Sequence, residues 1–198
     1  MSLPLPEVFQ AALTTDRLEI VAQILIDEHF STLTDLQSDH DDGYTRGCAR
    51  FGRQRNRLRS VALSKRYDWF DLLHGGNDLV FTIGQIPCRF TTDDPLNPTK
   101  PAVLEASSIQ RSFFEEVEAG TPCKFCFILD GGYGEADDPQ VVFIGEDAAG
   151  NVRCKWASGG VRALHIIAAD TPPAKDIGKA RVEPKRADSD KAENSGTA

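Results

Sequence analysis

Long apolar runs are missing from this sequence. The best candidate, residues 20–26, is short and contains Gln23, whereas a membrane-spanning helix needs about 18–20 predominantly apolar residues in succession. Residues 1–6 carry no Lys or Arg ahead of an apolar stretch, as a secretory signal would. These absences argue against a membrane protein and predict a cytoplasmic location.

Cysteines are few and odd in number. The five of them are scattered through a chain that is long enough to build a core without covalent cross-links, so we expect reduced thiols and no disulfide framework. Cys123 and Cys126 have C-x-x-C spacing, but no second pair follows and they fall in a predicted strand. Phosphate-loop and nucleophile-elbow motifs are also missing. No cofactor is predicted.

Charge is unevenly distributed along the chain. The net charge is −8 and the pI is near 5.0, which disfavours indiscriminate binding to nucleic acid or anionic membranes. Residues 46–66 nevertheless carry eight basic residues and no acidic one, and seven of the eight are arginine. The rest of the chain up to residue 169 is therefore strongly acidic, and this basic segment is its most distinctive feature.

The apolar patterns predict an α+β protein with helices first and strands later. Helical spacing predicts a helix that begins near Thr15 and Asp16, a second over residues 44–63 and a short third over 67–73. Strands are predicted at 79–83, 88–91, 123–129, 140–144 and 152–157, with a possible sixth at 161–168, and a further helix begins at Ser107 or Ser108 and runs to Glu118. Short turns between strands favour N-terminal helices packed on a mostly antiparallel sheet of about five strands.

The domain prediction follows from composition. Residues 1–169 are predicted to form a single α+β domain, helical over 15–75 and mainly β over 78–168. Residues 170–198 consist largely of Pro, Lys, Asp, Ala, Ser and Glu. Such a segment buries too little apolar surface to offset its ordering entropy, so a disordered tail is predicted.

The second predicted helix carries a stripe of arginines. At about 100° per residue, one arc of the helical wheel collects the residues that we expect to be buried: Tyr44, Cys48, Phe51, Leu58 and Ala62. The opposite side carries the arginine stripe, defined as Arg46, Arg50, Arg53 and Arg57. Guanidinium groups bind phosphate and carboxylate in bidentate fashion. The stripe is therefore predicted to be exposed and to dock an anionic partner, either an acidic protein surface or nucleic acid.

An intramolecular alternative stays open at this point. Acidic residues precede the helix in sequence and could neutralise the stripe within the fold: Asp27, Glu28, Asp35, Asp39, Asp41 and Asp42.

Three residues of this helix carry separate predictions. Arg55 falls within the apolar arc, so we predict a buried structural arginine that is held by a carboxylate or by carbonyl groups. Gly47 and Gly52 each cost about 1 kcal/mol relative to Ala inside a helix. They predict either close packing against another element or a helix that starts later than residue 44.

A metal site is the alternative from a different functional class. His40, Asp41 and Asp42 lie in one loop just before the arginine helix, and they could act as ligands in a metal-dependent hydrolase or nuclease. Helix capping explains the same aspartates without a metal. The leading hypothesis is therefore a non-enzymatic binding or accessory protein that uses the arginine helix.

Overall fold

The computed structural model describes residues 2–115, 118–131 and 138–159. The possible strand at 161–168 and the predicted disordered tail at 170–198 lie outside the described residues. The division of residues 1–169 as a single domain stays a prediction.

Two long helices dominate the N-terminal half. They are α1 (Thr15–Asp35) and α2 (Gly43–Ser64), preceded by a 3-10 turn at Pro6–Val8. Asp42 caps α2, because its side chain accepts a hydrogen bond from the Thr45 backbone N–H at 2.7 Å. The cap of α1 is Thr14, one residue before the predicted start, and its side chain makes no capping hydrogen bond. Two short helices follow later, α3 (Pro101–Leu104) and α4 (Ser108–Phe113).

Six strands form one sheet in the order of the sequence. They are β1 (Phe70–His74), β2 (Val80–Ile83), β3 (Ile86–Thr92), β4 (Lys124–Asp130), β5 (Gln140–Glu146) and β6 (Val152–Ala157). All neighbouring pairs are antiparallel except β3 and β4, which are parallel. The predicted α+β class with a mostly antiparallel sheet is confirmed. The helix predicted over residues 67–73 is wrong, because β1 occupies most of that segment.

Period-two alternation along the central strands separates two apolar layers. In β4, Phe125, Phe127 and Leu129 belong to the main core that α1 and α2 complete. Cys126 and Ile128 point to the other face, where they form a smaller apolar layer with Val142 and Ile144 of β5. Val103 of α3 covers this layer. The sheet is therefore covered by long helices on one face and by the α3 segment on the other.

The end of β3 extends beyond its hairpin partner. The β2–β3 register joins Phe81 to Cys88 and ends at the hairpin, whereas residues 89–92 pair with β4. Among the described residues, no strand pairs with residues 90–92 along the edge that faces away from β4. This free edge lies where the first turns of α2 cross the sheet, and it borders the cavity described below.

Within the part of the chain that the structure describes, no helix combines the length and the apolar character that crossing a bilayer requires.

Candidate functional site

The buried face of α2 includes Leu58 and Ala62 as predicted, but it is rotated from the predicted arc. Its buried residues are Gln54, Leu58, Val61 and Ala62, and the centre of this face lies about 50° around the helix from the predicted arc at 100° per residue. Tyr44 is 79% exposed and Cys48 is exposed, so their predicted burial is wrong. The physical reason is Gln54: its side-chain amide donates to the Leu25 carbonyl at 3.1 Å, which allows a polar residue to occupy the centre of the interface with α1.

This rotation moves the arginine stripe toward the core. Arg46, Arg50 and Arg53 are half-buried, and Arg57 is exposed. The prediction of a fully exposed stripe is therefore corrected: it runs along the border of the buried face, and its arginines are partly desolvated. A partly desolvated guanidinium interacts more strongly with an anion than a fully hydrated one does.

One of the four stripe arginines is neutralised within the described fold. Arg53 Nη1 lies 2.5 Å from Asp35 Oδ2 at the end of α1. For Arg46, Arg50 and Arg57, no carboxylate of residues 2–115, 118–131 or 138–159 lies within ion-pair distance. The acidic residues that precede α2 thus leave most of the stripe without a described carboxylate partner.

Arg50 lies beside a buried histidine. A side chain at Gly131 would place its Cβ 3.1 Å from Arg50 Nη1 and 3.2 Å from His29 Cε1, so the glycine leaves room for both groups against the backbone. Burial lowers the pKa of Arg50. Burial first, and then the charge of Arg50, lowers the pKa of His29 to about 4. The imidazole is therefore neutral near pH 7 and adds no second positive charge beside Arg50.

Arg55 is half-buried, so its predicted role as a buried structural charge is corrected. Its Nη1 donates to the side-chain oxygen of Asn77, and its Nε lies 3.4 Å from the side-chain oxygen of Asn56. Amide oxygens and solvent together satisfy this guanidinium, because the rotated helix places it at the edge of the interface.

Two of the three proposed metal ligands accept hydrogen bonds from backbone N–H groups. Asp41 accepts from the Ser38 backbone N–H at 3.0 Å, and Asp42 accepts from Thr45. The hydrogen bond from Thr45 lowers the pKa of Asp42. The structure does not assemble His40, Asp41 and Asp42 into a metal centre, since no group of three metal-ligating side chains suited to an ion occurs among the residues described.

The C-x-x-C pair likewise does not form a site. Cys126 is buried in the smaller apolar layer, and burial raises its pKa to about 12. Cys123 is half-buried, and all five cysteines are free thiols.

A cavity that the sequence analysis did not predict lies under the first two turns of α2. Its volume is about 590 Å³. Helix α2 forms one wall, residues 77–79 before β2 and the free edge of β3 form another, and the start of α3 closes the third. Gly47 lines it, and a Cβ at Gly47 would meet no atom within 4 Å. The close packing predicted for Gly47 is therefore wrong, because its missing side chain borders open space.

Both basic and apolar groups line the cavity. Besides Arg50, the basic residues are Arg89 and Lys100; Arg89 is 8% exposed, pairs with Asp78 and donates to the Glu105 carbonyl at 2.8 Å. The apolar wall includes Phe51 and Phe90, whose stacked rings have centroids 5.4 Å apart. Gly43 and Gly47, one helical turn apart on the core side of an otherwise polar helix, are the sequence signal that could have indicated this opening.

No protein-family model, curated protein or solved structure matches this chain.

Proposed function

We propose that this is a non-enzymatic binding protein that docks an acidic surface of a partner protein through the arginine stripe of α2. The observation that carries the proposal is the set of three stripe arginines, Arg46, Arg50 and Arg57, that have no carboxylate within ion-pair distance among the described residues. From Arg46 to Arg57 the stripe spans about 16 Å at 1.5 Å per residue, a length that suits a row of carboxylates on a partner.

The surroundings of the stripe favour a protein over nucleic acid. The two side chains of α2 best suited to reading base edges are engaged, since Gln54 is buried against Leu25 and Asn56 accepts from Arg55. Carboxylates of Asp41 and Asp42 lie beside the start of the stripe and would repel a continuous chain of phosphates, whereas a partner protein can place a basic residue opposite them.

The exposed end of α2 supports the same choice. Tyr44 is 79% exposed one turn before Cys48 and close to Arg46 in sequence. Tyrosine and arginine are the residue types enriched among the energetically dominant residues of protein interfaces. A mixed surface of tyrosine, arginine and aspartate suits a partner protein with charges of both signs.

Binding to defined polyanions tests the proposal. Fluorescence anisotropy would compare labelled poly-L-glutamate with a labelled DNA duplex, for the wild type and for R46E/R57E. We expect poly-L-glutamate to bind in a salt-dependent manner, and the double reversal to lower its affinity about tenfold or more, which corresponds to about 1.4 kcal/mol.

The matched control is R111E/K155E. It changes the net charge by the same amount at two exposed basic residues away from α2, on α4 and β6, and we expect it to change the affinity by less than about threefold. Equal losses in both double variants would show that only overall charge matters. Tighter binding to DNA than to poly-L-glutamate would make nucleic acid the partner, and binding to neither would overturn the proposal.

A further inference from the structure

The cavity under α2 exists because two elements fail to meet. The first turns of α2 pass over the sheet beyond the start of β2, where residues 90–92 have only β4 as a strand neighbour. Side chains that could fill the gap are missing on the helix side, because Gly43 and Gly47 face it. Its volume of about 590 Å³ falls within the usual range for small-molecule sites, about 300–1,000 Å³.

The charge of the lining is positive. Arg50, Arg89 and Lys100 contribute three cations, and Asp78 contributes one carboxylate that already pairs with Arg89. For Lys100 and Arg50, none of the described carboxylates lies within ion-pair distance. The remaining lining is mainly apolar and includes the stacked Phe51 and Phe90 rings.

We propose that this cavity binds a small organic anion, a carboxylate, sulfonate or phosphate group attached to an apolar body. Lys100 contacts the anionic group, and the positive charge of Arg50 at the border of the cavity favours it. Phe51 and Phe90 contact the apolar body. A preformed space lined by two apolar rings and a few cationic groups can fix the orientation of such a ligand.

This site is separate from docking through the stripe, although Arg50 borders both. Arg46 and Arg57 do not line the cavity, so R46E/R57E should abolish docking of a polyanion and leave the cavity unchanged. A failed polyanion test would therefore leave the cavity proposal intact, and a failed test of the cavity would leave the docking proposal intact.

Two fluorescent probes of similar shape test the proposal. Anilinonaphthalene sulfonate carries an anionic group, and N-phenylnaphthylamine does not. Gly47→Leu would place a side chain in the cavity at a helical position where leucine is a better helix former than glycine. Gly52→Leu is the matched control, because Gly52 is on the same helix, has equally open space around its Cβ and does not line the cavity.

We expect one sulfonate probe to bind per chain. Gly47→Leu should weaken both probes at least about tenfold, a loss of about 1.4 kcal/mol or more, and Gly52→Leu should change neither. Lys100→Gln should weaken only the sulfonate, by about three- to tenfold. Circular dichroism spectra and thermal unfolding of every variant would establish that the fold is intact.

Unchanged sulfonate binding in a folded Gly47→Leu variant would overturn the proposal, as would equal losses in Gly47→Leu and Gly52→Leu. If Lys100→Gln weakened both probes alike, or neither, the assignment of an anionic ligand would be wrong and the cavity would be a purely apolar one.

Discussion

His29 is a buried group whose neutral state is tied to folding. It is 1% exposed, lies next to Arg50, and its Nδ1 atom has no hydrogen-bond partner among the described residues. Its pKa falls from 6.5 to about 4, mainly because burial disfavours the charged ring. The unfolded chain therefore binds a proton more readily than the folded protein between these two pH values.

Stability should accordingly fall as the pH is lowered through this window. The contribution of neutral His29 is complete above pH 6.5 and is lost progressively down to about pH 4, an effect of about 3 kcal/mol. Urea unfolding at both ends of the window measures it. His29→Gln should remove most of this slope, and an unchanged slope would show that another group titrates there.

Asp147 titrates below this window. Hydrogen bonds from Asn151 are the main cause that lowers the pKa of Asp147 to about 2. Its stabilising contribution is present above the ordinary pKa of 3.8 and is lost only as the pH falls further. The His29 window thus lies above that of Asp147.

Residue types on α2 explain what the sequence could and could not predict about the site. The helix itself and its basic character are evident from the sequence, and the structure places the helix at Gly43–Ser64. The direction of its core face was missed because a helical wheel assigns Gln54 to the polar side. Only the partner carbonyl of Leu25, on another helix, makes its burial favourable.

Among the secondary-structure elements, β4 and β5 are joined by a buried ion pair. Lys124 and Glu146 are cross-strand partners, and their side chains are 7% and 9% exposed. Two charges removed from water in this way depend on each other, because either one alone would remain buried and uncompensated.

Substitution of either partner should therefore be costly. We expect Lys124→Met or Glu146→Leu alone to lower the free energy of unfolding by about 3–5 kcal/mol, and the double variant to recover most of that loss. Chemical denaturation of the four proteins completes a double-mutant cycle. Additive losses would show that the pair does not act as a unit.

Local sequence predicted most strands but failed at β1. Residues 67–73 contain Trp69, Phe70 and two leucines at spacings compatible with a helix. In the structure Phe70 enters the main core from a strand that pairs with β2. Pairing with β2 decided the outcome, and a short apolar segment does not reveal such a partner. The hairpin of β2 and β3 was predictable because its strands are close in sequence.

For the molecule as a whole, protection from solvent should decrease from the centre of the sheet to its edges. Strand β4 is buried along nearly its full length, whereas β6 alternates between exposed and buried residues. We expect the amides of Cys126 and Ile128 to exchange with deuterium only on global unfolding. The amides of β6 should exchange faster by local opening. Equal protection of β4 and β6 would contradict this gradient.

The fold class could be predicted from the sequence, but the parallel contact could not. Helical patterns precede strand patterns along the chain, which is sufficient to favour α+β. Nothing local distinguishes a β3 that pairs with β4 in parallel from one at the edge of the sheet, since residues 93–123 separate the two strands. The walls of the cavity depend on the same register, so Gly43 and Gly47 could have indicated an opening beside α2 but not the residues that line its other sides.

The parallel contact between β3 and β4 has a kinetic consequence. Strands β1 to β3 form one antiparallel meander and β4 to β6 another, and each is built from neighbours along the chain. Among the described strands, the pairing that joins the two meanders is that of β3 with β4, so the entropy of closing the long loop between them is concentrated in one event. The α4 residue Gln110 donates to the carbonyls of Pro87 in β3 and Phe125 in β4. We expect this pairing to form late in folding, and the Gln110 amide stabilises the two strands where they meet.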